Sequence, residues 1–180
     1  MKRSLSQIIE IPEGVKVDVD GGRVIVEGKE GKNEREFNLI NLELEKKGNE
    51  IIISNKKASK KEKRKMNSIA AHIKNMIKGI QEKFEYKLKI CFSHFPITVE
   101  VKGNEALIKN FLGEKTPRKA KIPTGANVKV EKDVIAITSN DVETAGQAAA
   151  NFETATRISK RDRRVFQDGI FITSKCGEEI

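Results

Sequence analysis

The chain has few aromatic side chains, and this scarcity limits how it can bind a partner. Among its 180 residues there is no tryptophan, and Tyr86 is the single tyrosine; aromatic residues make up 5%. Proteins that hold single-stranded nucleic acid usually stack bases on aromatic platforms, so this mode is disfavoured. If the partner is a nucleic acid, the composition favours structured RNA or a duplex backbone.

Cysteine and long apolar runs are also scarce. Cys91 and Cys176 are far apart, and the chain has two histidines, so the spacing predicts neither a disulfide framework nor a zinc site. No run approaches the roughly 18 to 20 apolar residues that cross a bilayer, and residues 1–7 lack the apolar core of an export signal. These absences predict a cytosolic protein with no membrane partner, no metal and no cofactor.

Positive charge, in contrast, is abundant and concentrated. The formal net charge is +9; residues 56–65 carry net +6 and residues 157–164 carry net +4, which leaves −1 for the rest of the chain. A concentrated excess of this kind produces a local field that attracts polyanions.

The first basic segment precedes or opens a predicted helix. Its candidate anion-binding residues are Lys60, Lys61, Lys63, Arg64 and Lys65. Cations at a helix N-terminus oppose the helix dipole, so either these residues serve a purpose such as anion binding or they form a loop before the helix. A solvated helix face without a partner is the alternative.

The second basic segment is rich in arginine, whose guanidinium group pairs with phosphate oxygens at two points. Its candidate residues are Arg157, Lys160, Arg161, Arg163 and Arg164, and a proline turn adds Lys115, Arg118, Lys119 and Lys121. Cations that follow a helix also interact favourably with the negative end of its dipole, so helix capping is an alternative role for the second basic segment. The alternative for the proline turn is a generic charged loop.

No constellation of catalytic residues is apparent. Residues 22–29 superficially resemble a phosphate-binding loop, but the glycine spacing is wrong and the middle is β-branched, which favours a plain strand. Ser93 and His94 are adjacent in sequence and more consistent with a strand end than with a nucleophile and its base. We therefore expect no enzymatic activity and no small-molecule substrate.

Hydrophobic periodicity predicts strands followed by a helix in the first half. Valines alternate on both sides of Gly21 and Gly22, which predicts a hairpin, and apolar stretches follow at residues 37–44 and 51–53. Residues 58–80 change to a spacing of three and four, which predicts a helix with one apolar face. Phe84, Tyr86, Leu88 and Ile90 then alternate as a strand.

The second half repeats this order at an offset of roughly 80 to 85 residues. Residues 99–103 match residues 17–21, residues 135–140 match residues 51–55, an alanine-rich helix is predicted over residues 141–156, and residues 165–172 close the unit. The pattern predicts an α+β fold of two tandem related domains, each a small, mostly antiparallel sheet with one covering helix and a last strand. We place the domains at residues 1–82 and 83–180, with a boundary within residues 91–96 as the alternative.

Several motifs resemble the universal large-subunit ribosomal protein L-six family in its archaeal and eukaryotic branch. They lie in order along nearly the whole chain, at residues 11–14, 72–79, 94–97, 110–115, 147–151, 155–158 and 162–171. The resemblance implies two tandem α+β domains that bind large-subunit ribosomal RNA (rRNA) near the sarcin-ricin loop and the stalk base, beside neighbouring ribosomal proteins.

The resemblance also implies that the second domain is the main rRNA-binding half. It assigns rRNA contacts to eight residues of that half: Lys115, Arg118, Lys119, Arg157, Arg161, Arg163, Arg164 and Lys175. Lysines replace the tryptophans that eukaryotic members tend to have at residues 55–65, which leaves the role of that segment and the archaeal or eukaryotic source open. The alternative function is a basic cytosolic scaffold that binds acidic proteins. A third class, an enzyme acting on RNA, would require clustered carboxylates or a histidine pair, and the sequence shows neither.

Overall fold

The computed structural model describes residues 3–180, which form two compact α+β units. The first unit ends at Lys83 and the second begins at Phe84. Among the described residues, no helix has the length and apolarity that spanning a bilayer requires.

The first unit consists of six strands followed by one helix. Its elements are β1 (Arg3–Glu10), β2 (Lys16–Asp20), β3 (Arg23–Gly28), β4 (Gly31–Glu36), β5 (Glu43–Lys47), β6 (Glu50–Ala58) and α1 (Lys60–Gln81). They form two three-stranded antiparallel sheets, ordered β1-β6-β5 and β2-β3-β4. The predicted hairpin is β2-β3, and it turns at Gly21, whose φ of +56° suits glycine.

The core of the first unit lies between the two sheets and α1. Alternate residues of β3 and β6, such as Val24 and Ile53, contribute to it because successive strand residues face opposite sides. The apolar face predicted for the helix is confirmed, since Met66, Ile69, Ala70, Ile73, Met76, Ile77 and Ile80 are all buried.

The second unit repeats the order and adds two strands. Its elements are β7 (Phe84–Cys91), β8 (Thr98–Lys102), β9 (Glu105–Lys109), a 3-10 turn (Phe111–Gly113), β10 (Arg118–Lys121), β11 (Asn127–Glu131), β12 (Val134–Ser139), α2 (Val142–Ala155), β13 (Gly169–Lys175) and β14 (Glu178–Glu179). They form sheets ordered β10-β9-β8 and β11-β12-β7-β13-β14, and α2 packs against strands of both. Phe111 and Phe152 are fully buried in the shared core.

The predicted fold class is confirmed, with a finer division: each unit contains two small sheets instead of one. The strand at residues 84–90, which the pattern predicts as the last strand of the first repeat, belongs to the second unit. Strand β7 pairs with β12 and β13 in the second unit and matches β1 in position, as the first strand of its own repeat. A sequence pattern does not fix strand pairing, because a strand joins whichever edge buries its apolar face.

Candidate nucleic-acid interface

The connection between α2 and β13 carries a concentrated positive charge. We call residues 157–168 the basic loop. Its five cations, Arg157, Lys160, Arg161, Arg163 and Arg164, are all exposed. The loop is an ordered turn, because the Asp162 carbonyl accepts from the amides of Val165 at 3.2 Å and Phe166 at 3.0 Å.

Asp162 organises this turn with its side chain as well. Its carboxylate Oδ1 accepts from the Arg164 amide at 2.9 Å, a local side-chain bond typical of aspartate in turns. The guanidinium of Arg161 lies over the Phe166 ring, 4.8 Å from its centroid. The structure shows no ion pair for Arg157, Lys160, Arg163 or Arg164 with any described residue, so these four cations are available to an external anion.

Two buried polar residues fix the ends of the basic loop. Thr156 Oγ1 donates to the Phe152 carbonyl at 3.1 Å and accepts from the Ile170 amide at 3.0 Å, so it joins the end of α2 to the start of β13. Asp168 accepts from the amide and hydroxyl of Ser93, at 3.2 and 2.9 Å. Nothing in the sequence marks Thr156 as a structural residue. The contact between Asp168 and Ser93 has no sequence signal either, because the two residues are 75 positions apart.

Arg118 is placed differently from the other predicted rRNA contacts. Its guanidinium donates to both Glu114 oxygens, at 2.8 and 2.5 Å, and to the carbonyls of Ala155 and Arg157, at 3.0 and 3.2 Å. It also covers the Phe111 ring at 4.2 Å. Most of its donors are therefore engaged inside the protein, and the geometry makes Arg118 a residue that holds the start of the basic loop.

The pKa of the Glu114 carboxyl is lowered from its ordinary value of 4.5, chiefly by its hydrogen bonds with Arg118. The charge of Arg118 lowers this pKa further and Arg161 adds to the effect, while partial burial opposes it. The pair thus stays ionised at neutral pH, and Arg161 of the basic loop is close enough to act on it.

The remaining predicted cations of the second unit are exposed. Lys119 on β10 pairs with Glu105 at 3.3 Å, both side chains being more than half exposed, so the pair contributes little stability. Lys115, Lys121 and Lys175 make no ion pair within the described part of the chain, and their contact with rRNA stays a prediction.

The lysine-rich segment of the first unit forms the opening turns of α1. Lys60, Lys61, Lys63 and Arg64 are exposed and Lys65 is half-buried. Ser59 caps the helix and its backbone amide donates to the Glu62 carboxylate at 2.8 Å, which completes a capping box. The loop alternative is wrong for residues 60–65, and Glu62 with the cap offsets the unfavourable placement of cations at this end.

The residues considered for catalysis do not assemble into a reactive site. Ser93 donates its hydroxyl to Asp168, while the His94 ring is exposed and packs beside Phe95, with 4.6 Å between centroids. His72 is half-buried near Phe37. Cys91 and Cys176 are free thiols, and the described residues contain no group of three or more His, Cys, Asp or Glu side chains placed to hold a metal ion.

Two related α+β units and an ordered, arginine-rich loop define a protein with a concentrated cationic surface. Comparison with protein families agrees: the model described as "Ribosomal protein L6" matches residues 11–83 and 95–169, one segment in each unit. The chain belongs to the ribosomal protein L6 family.

Similar proteins are found in archaea, each named "Large ribosomal subunit protein uL6". The protein of Sulfurisphaera tokodaii is 44% identical over 172 residues, which cover 95% of this chain and 92% of the relative. The Ignicoccus hospitalis protein is 44% identical over 93% of both chains. The Aeropyrum pernix protein is 46% identical over 91% of both.

Proposed function

We propose that the chain is a structural constituent of the large ribosomal subunit that stabilises rRNA near the sarcin-ricin loop and the stalk base. Members of the ribosomal protein L6 family are structural proteins of the ribosome and not enzymes, which agrees with the expected absence of catalysis. The relatives named above belong to the large subunit by name, and this supports the same assembly, in the cytoplasm, for this chain.

The observation that carries the proposal is the basic loop. Four of its cations have no ion pair with a described residue, and its two ends are fixed by the buried Thr156 and Asp168. Each cation that meets a phosphate releases condensed counterions, and a rigid loop loses little conformational entropy on binding. The loop thus acts as a clamp on folded RNA, with the lysines of α1 as a secondary contact.

Charge reversal in the basic loop tests the proposal. We expect Arg163→Glu with Arg164→Glu to reduce incorporation into large subunits strongly, because two attractive contacts with rRNA become repulsive. The matched control is Glu43→Lys with Glu45→Lys on β5, two exposed carboxylates whose reversal adds positive charge. Incorporation is measured by sedimentation of tagged protein with the large particle, followed by a moderate salt wash.

The outcomes separate the proposed function from its alternative. Equal incorporation of both double variants would show that the basic loop does not contact rRNA. Co-purification with acidic proteins in the absence of rRNA would favour the scaffold function instead. The location is tested separately by hydroxyl-radical footprinting, in which protection should appear near the sarcin-ricin loop and disappear with the loop variant.

A further inference from the structure

Beside the basic loop, the second unit contains a cavity of about 710 Å³. Its walls come from the segment after β7, the end of α2, the basic loop and the start of β13. Three of the chain's eight phenylalanines, Phe92, Phe166 and Phe171, line it. The composition disfavours aromatic stacking in general, yet the fold gathers these rings at one place.

The aromatic walls are accessible to a ligand. Phe92 is 41% exposed and Phe171 is 37% exposed, so each ring retains uncovered area. The Phe171 ring lies against Gly169, where an added Cβ would come within 3.0 Å of its Cζ atom. Rings of this kind offer stacking surfaces to a planar ligand.

The polar groups of the cavity include a buried carboxylate with unused hydrogen-bonding capacity. Asp168 is 5% exposed, and both hydrogen bonds that the structure gives its side chain, from the amide and hydroxyl of Ser93, end on Oδ1. Oδ2 has no partner among residues 3–180. Because no fully enclosed side-chain oxygen in the described chain lacks a partner, Oδ2 keeps accessible surface, and it can accept a hydrogen bond from a ligand in the cavity.

The charges around the cavity are balanced. Asp168 and Glu153 contribute carboxylates, while Arg157 and Arg163 contribute guanidinium groups without an ion pair in the described chain. A phosphate group alone would be repelled by the two carboxylates. A neutral, flat ligand that has hydrogen-bond donors for the two carboxylates and acceptors for the two arginines matches these four side chains.

We propose that this cavity receives one unstacked guanine base of the bound RNA. Guanine offers N–H donors at N1 and N2 to the Asp168 carboxylate and acceptors at O6 and N7 to an arginine fork. Sequence-specific recognition of RNA commonly uses such splayed-out bases, stacked on aromatic rings. Adenine, cytosine and uracil lack this combination of adjacent donors and paired acceptors. The inference rests on the proposed binding of rRNA and adds a base-specific contact to it.

Binding of the four ribonucleoside monophosphates to the full chain tests the base preference. These probes differ only in the base, so their phosphate contributions cancel, and amide shifts of Ser93 and Gly169 in NMR spectra report occupancy. We expect GMP to bind about 5- to 150-fold more tightly than AMP, CMP or UMP, the range of one bidentate base contact. Equal binding of all four, or no shift at either amide, would overturn the guanine assignment.

Two variants identify the residues responsible. Asp168→Asn keeps an oxygen for Ser93 but replaces Oδ2 with a donor, so GMP should lose its advantage over the other three probes. Phe171→Leu should weaken all four probes about 5-fold or more through lost stacking, while the order of preference remains. An unchanged GMP advantage in Asp168→Asn, with an intact NMR spectrum, would refute the role of the carboxylate.

A test in the assembled particle separates this inference from the proposed function. Arg163 lines the cavity and its neighbour Arg164 does not, so Arg163→Gln and Arg164→Gln form a matched pair of equal charge. In large subunits that contain Asp168→Asn or Arg163→Gln, one guanine should become reactive to a reagent for N1 and N2, and in Arg164→Gln it should stay protected. Normal incorporation of all variants with no newly reactive guanine would leave the rRNA clamp in place and reject the base pocket. Failure of the wild-type chain to bind rRNA would reject both.

Discussion

Arg118 and Glu114 form a two-point ion pair in the second unit, with Nε–Oε2 and Nη2–Oε1 distances of 2.8 and 2.5 Å. The same guanidinium reaches the carbonyls of Ala155 and Arg157 at the end of α2. One side chain therefore connects the proline turn to the start of the basic loop.

The first prediction concerns the geometry of Arg118. Arg118→Lys keeps the charge but loses the fork that serves a carboxylate and two carbonyls, so we expect the free energy of unfolding to fall by about 1 to 3 kcal/mol. Urea denaturation measures it. Lys119→Gln is the control: its pair with Glu105 is exposed, and its loss should change the stability by less than about 1 kcal/mol. Equal effects at both positions would contradict the connecting role.

The second prediction is a pH dependence. Because Arg118 lowers the pKa of Glu114, the folded chain binds fewer protons there than the unfolded chain. This contribution to stability is present above the ordinary pKa of 4.5 and is lost as the pH falls through the lowered pKa of the folded state. The wild type should thus be more stable than Glu114→Gln at neutral pH, and the difference should shrink in acid.

Urea midpoints of the wild type and Glu114→Gln at pH 7 and pH 3 measure this dependence. The control is Glu131→Gln on β11, an exposed carboxylate with no ion pair among the described residues. A difference between Glu114→Gln and the wild type that stays constant with pH would exclude the ion pair as its source.

The third prediction concerns the hydroxyl of Thr156. Thr156→Val keeps the shape but leaves the buried Ile170 amide without its acceptor, which should cost about 1 to 3 kcal/mol of stability. Thr156→Ser retains the hydroxyl and serves as the matched control. Hydrogen exchange at the Ile170 amide should accelerate in the valine variant more than in the serine variant. Identical exchange in both would show that the hydroxyl does not hold the start of β13.

The fourth prediction is the salt dependence of RNA binding. With about six phosphate contacts, the logarithm of the binding constant should fall with the logarithm of salt concentration at a slope of about −4 to −5. Lys160→Gln with Arg164→Gln, two exposed cations that do not line the cavity, should make this slope shallower by about 1.5, since two phosphate contacts are removed. The control, Glu43→Gln with Glu45→Gln, should leave the slope unchanged. A shallow wild-type slope would favour a partner other than RNA.

Periodicity and charge were sufficient to predict much of the fold. The alternation around Gly21 corresponds to the β2-β3 hairpin, and the spacing from Met66 to Ile80 gives the buried face of α1. Patterns of this kind are local, because a residue's face is set by its own helix or strand. Strands β1 and β4 were not predicted, since β4 is almost entirely polar and β1 alternates weakly.

The candidate site was predicted as a set of cations without their individual roles. Arg118 and Arg163 are equally plausible phosphate contacts in the sequence, but Arg118 is engaged by Glu114 and two carbonyls while Arg163 lines an open cavity. No feature of the sequence distinguishes a guanidinium with partners from one without them.

The sequence alone determined the repeated α+β units, the concentration of charge and the family, because these depend on composition, on local periodicity and on motif order. The tertiary structure decided which strands share a sheet, which arginine stabilises the fold, and that three phenylalanines and Asp168 surround one cavity. Those properties depend on contacts between residues far apart in the chain, such as Ser93 with Asp168, and such contacts exist only once burial of the apolar faces has brought the strands and helices together.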